Sequence, residues 1–462
     1  MDEWWRRGQK YDELARLEKV ANVAWQPITP TKKYVWLSNG MADEFETFLP
    51  IGTKEAKRGK GQAIFETYSI GVQTNRDNWV YNFNQSVLSE NVKRMIDVYN
   101  DHVFRYSRLS PKPDIDSFVT YDDKKISWSR DLKADVRRGR FTDFDPKKIR
   151  HSLYRPFSKR YLYLDSILNQ DVTQNPKFFP IPISENENRA ICVSAVGNNK
   201  PFHCLMINVF PDLHLTGDTQ CFPLYVYDEE GGNRRENISD WALGEYRRAY
   251  QDESISKADI FYSIYALLHH PVYRERYAQN LKRELPRVPI IKGQNTNAPH
   301  NTPHPLTPSP LRGEGESEDE GVAGYSLPLR SGGRAGDRGG FGTKAPHPLT
   351  PSPLRGEGEG EDEEEAGFSP FLHEMGKGGR GDRGDSNAFH TLAKLGRELS
   401  SVHLNYEQGA EYGLEEIENP KTPPNYRVEA MRLSKDKSEL VLNNFLTLRG
   451  IPPRVYEYKL GN

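Results

Sequence analysis

The residues with most to offer chemically lie in 130–165. Eleven Lys and Arg stand there (Arg130, Lys133, Arg137, Arg138, Arg140, Lys147, Lys148, Arg150, Arg155, Lys159 and Arg160) against five Asp, a local charge of +6. Tyr154, Phe157, Tyr161 and Tyr163 are interleaved with them. Cations displace counterions from a phosphate backbone, and aromatic faces add stacking surface. The pattern is therefore that of a phosphate-tracking face. A solvated charged surface over an aromatic core has the same composition, so composition does not separate the two.

Catalytic patterns each fail at an atom the chemistry needs. A phosphate loop requires four residues between its glycines and then Lys-Ser/Thr. Here six residues separate Gly52 from Gly59, and Gly61 follows Lys60, so the magnesium-holding hydroxyl is missing. Pro113-Asp114 with Asp122-Asp123-Lys124 imitates a metal-dependent nuclease core, but the gap is short and reads as a solvated loop. Asn175-Pro176-Lys177-Phe178 lacks the second proline of the Asn-Pro-Pro-aromatic motif used in amino-methyl transfer. No Gly-rich strand–helix loop precedes it. His269 and His270 are adjacent and so point to different helix faces, unable to share one metal. Neither Gly-x-Ser-x-Gly nor His-Glu-x-x-His occurs. Cys192, Cys204 and Cys221 have no zinc spacing and cannot form a disulfide framework, which points to a reducing cytoplasm. No apolar run approaches a membrane span and no signal peptide opens the chain, so no membrane partner is expected.

The elements that would position these residues read as mixed α and β. Leu14, Leu17 and Ala21 suggest a helix over 9–21, followed by strand-like runs at 22–25 and 34–37. Runs 65–72 and 79–83 read as two strands flanking the polar turn 73–78. Leu88, Val92, Met95, Tyr99 and Val103 mark one face of a helix near 86–104. Residues 190–227 alternate apolar runs with Gly, Asn and Pro breaks, as sheet does. Ser256-x-x-Asp259 has the form of a capping box, with Ile260, Ile264, Leu267 and Leu268 on one stripe behind it. Pro271 breaks that helix, a second is expected over 272–285, and another over 388–403. The tail 426–458 reads as strands.

One stretch is unlike the rest of the 462 residues. Residues 294–387 hold 19 Gly and 11 Pro, with 16 acids against 9 bases, a charge of −7 that leaves the remainder at +5. Pro303 to Glu316 recurs unchanged from Pro346 to Glu359. Two copies are too few for a solenoid and too poor in apolar residues to bury a core. The expectation is a disordered, dispensable insertion.

His151-Ser152-Leu153-Tyr154-Arg155-Pro156-Phe157-Ser158-Lys159-Arg160-Tyr161-Leu162-Tyr163 resembles a block of the type ISP single-chain restriction-modification enzymes, from the part that follows the methyltransferase. Further stretches resemble that family in the same order: 71–83, 220–225, 259–274, 280–287, 403–407 and 456–462. The resemblance implies an α+β fold: a mixed, mainly antiparallel sheet recognition domain with a helical subdomain (about 256–292 plus 388–404) and the disordered insertion. The implied division is the end of a methyltransferase domain at 1–30, a target-recognition domain at 31–293, the insertion at 294–387 and a truncated continuation at 388–462. The family's nuclease, ATPase and methyl-transfer motifs are not matched. S-adenosylmethionine, ATP and magnesium are therefore expected only in missing or separate parts, and no catalytic, cofactor or metal-binding residue is assigned here.

The implied function is sequence-specific recognition of duplex DNA, guiding adenine-N6 methylation and cleavage carried elsewhere. The other readings are a fragment complementing a separate methyltransferase, helicase or nuclease chain, and a non-functional remnant. Division of labour between phosphate contacts and base-edge contacts makes Arg155, Lys159, Arg160 and Lys200 the candidate backbone contacts, with Tyr154 beside them. Asn75, Arg76, Asn198, Asn199 and Gln220 are the candidate base readers.

Overall fold

The computed structural model describes residues 7–22, 41–197, 201–228, 230–291, 384–409 and 412–456. The expected strands within 23–40, nearly all of the insertion, and Asn198, Asn199 and Lys200 lie outside the described residues. The observed architecture is α+β, with mostly antiparallel sheets, as expected.

Two short apolar runs build the centre. Ala190–Val193 and Cys204–Ile207 are buried at every residue. They pair antiparallel, and Ala190–Val193 also pairs with Gln220–Pro223, which pairs with Ser69–Ile70. Successive side chains of a strand point to opposite faces, and this sheet uses both. Ile191, Val193, Cys204, Met206 and Phe222 join one core, while Ala190, Cys192, Leu205, Ile207 and Cys221 join the other.

The first core is covered by helices. Lys257–His269 starts at the reciprocal Ser256/Asp259 capping box and buries Ile260, Ile264, Leu267 and Leu268. Pro271 opens a new short helix, Pro271–Arg276, and Ala278–Leu281 follows, so the expected single helix over 272–285 is two pieces. Asp240–Tyr250, capped by Ser239, was not anticipated. Chain that left at Ile291 returns at Gly384, whose N–H donates to Ala249 O at 2.7 Å. The next N–H, that of Asp385, donates to Ile291 O at 2.9 Å. Asp385 then caps the returning helix Ser386–Leu404, which packs along Lys257–His269. Their backbones touch at Gly396, where a Cβ would stand 1.9 Å from the Tyr262 carbonyl oxygen. Gly396→Ala must push the helices apart. It is expected to lower stability by about 1–3 kcal/mol or more, read as a fall in the urea midpoint. An unchanged midpoint would show that the two helices do not pack this closely.

The second core carries the long helix Gln85–Ser107, capped by Asn84, which buries the five apolar residues the periodicity marked and also Ile96 and Tyr106. It lies against the second sheet, in the order Tyr81–Asn82, Ser158–Tyr163, Ile149–Arg155, Phe210–Pro211, the last pair parallel. This corrects the reading of 65–83. Ser69–Ile70 and Tyr81–Asn82 belong to different sheets, and Asp77–Val80 between them is one helical turn. The segment is a crossover between layers, not a hairpin. A small third sheet of Glu415–Glu418, Leu446–Arg449, Glu439–Val441 and Arg432–Leu433 closes over Leu442, Phe445 and Leu446. Arg7–Leu17 buries nothing, and it ends short of the expected 9–21 helix.

Candidate nucleic-acid interface

The basic–aromatic block folds as the hairpin Ile149–Arg155/Ser158–Tyr163, turned by Phe157 at φ +55°. Its cations are arranged on rings. The guanidinium carbons of Arg155 and Arg160 each stand 4.0 Å from the Tyr154 ring centroid, so that Tyr154 is flanked by both. Arg160 is also 4.5 Å from the ring of Phe83, which is 67% exposed. Arg155 Nη1 donates to Asp212 Oδ1 at 2.6 Å. Burial raises the pKa of Asp212, against the pull of that guanidinium and of the His214 N–H. Lys159 Nζ donates to Glu407 at 2.8 Å. Arg155 and Lys159 therefore have carboxylate partners already, and a phosphate would have to displace them.

Tyr154 hydroxyl donates to Asp77 at 2.8 Å, tying the hairpin to the loop 72–79. That loop is braced in a way the sequence hid. Arg76, expected at a base edge, is 3% exposed. Its guanidinium donates to the carbonyls of Thr74 at 3.1 Å and Ser127 at 3.3 Å, to the Ser129 hydroxyl at 2.7 Å, and to Leu168 O. Its pKa is pulled down to about 10 by burial. A buried guanidinium with its donors used inside cannot reach outward, so Arg76 is a strut. The loop is also pinned to 171 by paired backbone bonds of 2.9 Å between Gln73 and Asp171.

What the strut holds up is polar and exposed. Asn75 sits at φ +57°, its amide donating to Gln170 at 3.0 Å and accepting from Gln73 at 3.2 Å. Asn75, Asn78 and His214 are exposed around a cleft of about 460 Å³, whose walls also include Asp123, Ser127 and Asp212. Asn78 and His214 were missed as candidates. The signal for His214 was its place in a break between two apolar runs, before Gly217 and Asp218, both with positive φ.

Gln220 does not join this cleft. It lines another, of about 570 Å³, with Lys54, Lys57, Arg58, Tyr68, Ala195, Val196 and Leu285. Two residues of the rejected motifs are structural. Asn175 is fully buried, its amide donating to Ile70 O at 2.8 Å, and so does not fit a methyl-transfer role. Asp114 caps the short helix Ile115–Phe118. Among the described residues no group of three or more His, Cys, Asp or Glu could hold a metal ion, and no helix is long and apolar enough to cross a membrane.

The family model of the type ISP C-terminal specificity domain matches residues 63–297 and 383–462. The chain belongs to that family. The match covers the second core and most of the first, and resumes at the returning helix of this specificity domain. Its fold is similar to that of DrdV in a cryo-EM structure of a DrdV–DNA complex. The TM-score is 0.68 at 28% identity, covering 100% of this chain and 36% of that one. It is also similar to a nuclease-deletion mutant of the type ISP restriction-modification enzyme LlaGI, solved with a DNA substrate mimic. There the TM-score is 0.66 at 26% identity, covering 99% of this chain and 27% of that one. The ATP-dependent type ISP enzyme LlaBIII, bound to DNA, shares the fold at 21% identity and a TM-score of 0.64, covering 98% of this chain and 23% of that one. This specificity domain thus spans about a third or less of those chains. No curated protein matches it.

Proposed function

We propose that this specificity domain recognises a duplex DNA target for a type ISP restriction-modification system, in the cytoplasm. Adenine-N6 methylation and cleavage, with S-adenosylmethionine, ATP and magnesium, would belong to domains or chains other than the residues described. The observation that carries the reading is the cleft over the Arg76 strut. It holds exposed amide groups on a loop braced by Arg76, with the His214 imidazole on the facing loop and a guanidinium–aromatic stack beside them. Asparagine side chains can pair with the donor–acceptor edge of adenine, and a fixed loop avoids the ordering cost of doing so.

The test is fluorescence anisotropy of the full chain with duplex DNA across a salt series. Binding should weaken steeply with salt. Asn75→Ala should cost ~1–3 kcal/mol on the cognate duplex and leave unrelated duplexes unchanged. A folded chain that binds no duplex at low salt would overturn the reading.

A further inference from the structure

Among the described residues, a dense cluster of unpaired positive charge lies away from the hairpin, where Arg160 alone is outside an ion pair. Of the eleven cations in 130–165, eight are held in ion pairs; Arg150 with Glu185, Lys148 with Asp165 and Lys133 with Asp116 are examples. The turn 54–60 differs. Lys54, Lys57, Arg58 and Lys60 are all exposed, the only acid among them is Glu55, and none makes an ion pair with the described residues. Like charges this dense repel one another, and the repulsion is relieved when an anion binds.

The turn is also built. Thr53 Oγ1 accepts from Ala56 N at 2.9 Å. The Arg58 and Lys60 N–H groups both donate to Glu55 O, at 3.0 and 2.9 Å, with Gly59 at φ +68° between them. Its base has no slack, for a Cβ on Gly52 would lie 2.9 Å from both Tyr68 and Phe222. Lys57 Nζ stands 4.4 Å from the Tyr68 ring centroid, at the wall of the cleft that holds Gln220. The loop 213–219, whose Leu213 and His214 line the cleft over Arg76, is hydrogen-bonded to segments of both clefts. Gly71 N donates to Thr219 O at 3.2 Å, Leu213 N to Val72 O at 2.9 Å, and Ala195 N to Gly217 O at 3.4 Å. The turn lies ahead of residue 63, where the family match begins.

We infer that Lys54, Lys57, Arg58 and Lys60, with Gln220 beside them, form a second DNA contact that grips the phosphodiester backbone. The inference rests on the proposed recognition of duplex DNA. It moves the sequence-independent part of the affinity from the hairpin to this turn, and leaves the cleft at Asn75 to discriminate.

The experiment compares the full chain with its Lys54→Ala/Arg58→Ala variant by anisotropy over a salt series, on a cognate and an unrelated duplex. The slope of log affinity against log salt should become shallower by about 1.8, equally on both duplexes, since each phosphate contact contributes about 0.9. The charge-conserving Lys54→Arg/Arg58→Lys variant should keep the wild-type slope. Circular dichroism confirms that each variant is folded. Wild-type binding with an unchanged slope in the alanine variant overturns this inference alone. A loss confined to the cognate duplex also overturns it, because the turn would then read bases. Absence of wild-type binding overturns the recognition reading and this contact with it.

Discussion

Arg150→Ala is expected to destabilise the fold by about 3–5 kcal/mol. Arg150 is 8% exposed, and its guanidinium donates to Glu185 Oε1 from Nε at 2.8 Å and from Nη2 at 2.6 Å. It also reaches the carbonyls of Phe179 at 3.0 Å and Pro180 at 3.1 Å. Burial already raises the Glu185 pKa, and Arg150 is the main influence opposing it. Truncation strands that carboxylate and two carbonyls in a place water does not reach. The double variant Arg150→Met/Glu185→Leu should recover much of the loss, because an apolar pair has no desolvation to offset. Urea midpoints of the single and double variants check both statements. A loss below about 1 kcal/mol for Arg150→Ala would mean that solvent reaches the pair.

Acid should unfold the chain beginning well above the carboxylate range. His269 and His403 lie with ring centroids 5.3 Å apart. His269 Nδ1 accepts from Arg274 at 3.2 Å, and His403 Nδ1 bonds with the Tyr265 hydroxyl. Burial first, and then the Arg274 charge, push their pKa values down, to about 2 for His269 and about 4 for His403. With folded values below the unfolded value near 6.5, the unfolded chain binds protons that the folded chain refuses. The stability is fully present above pH 6.5 and is lost as pH falls, towards about 4 for His403 and towards about 2 for His269. Each histidine contributes at most about 1.4 kcal/mol per pH unit, so the pair gives a slope approaching about 2.7. Asp116, Asp259 and Asp436, whose pKa values are lowered, add their losses only at more acid pH. In denaturation midpoints between about pH 6.5 and 5, the buried histidines, His270 among them, drive the loss, while Glu185 and Asp212, whose pKa values are raised, oppose it. His269→Gln should lower the slope by up to about 1.4 kcal/mol per pH unit, and a slope unaffected by that change would show that the imidazole is solvated.

Elements with a strong local signature could be read from the sequence. The stripe Leu88–Val103 gave Gln85–Ser107 almost to its ends, and Ser256/Asp259 marked the start of a helix because both halves of the box lie within one turn. Sheet membership was not legible. Ser69 meets Cys221 and Tyr81 meets Leu162, and nothing near Ser69 or Tyr81 encodes which distant strand each will find. The site was half legible for the same reason. Lysines and arginines in 130–165 show as charge, but their partners Glu185, Asp212 and Glu407 are remote, Glu407 lying 248 residues from Lys159. Arg76 looked available because its neighbours are polar. The carbonyls that consume it come from 127 and 168.

The bond from Asp385 to Ile291 has a consequence for synthesis. The stripe of Lys257–His269 that receives Ser386–Leu404 is translated long before its cover. More than a hundred residues must be added between them, which at about 5–20 residues per second takes from several seconds to some twenty. Throughout that interval the nascent chain carries an apolar face with no native occupant, and the last helix must then dock on a layer that is already formed. Slowing translation across 292–383 would lengthen the exposure without altering a single native contact.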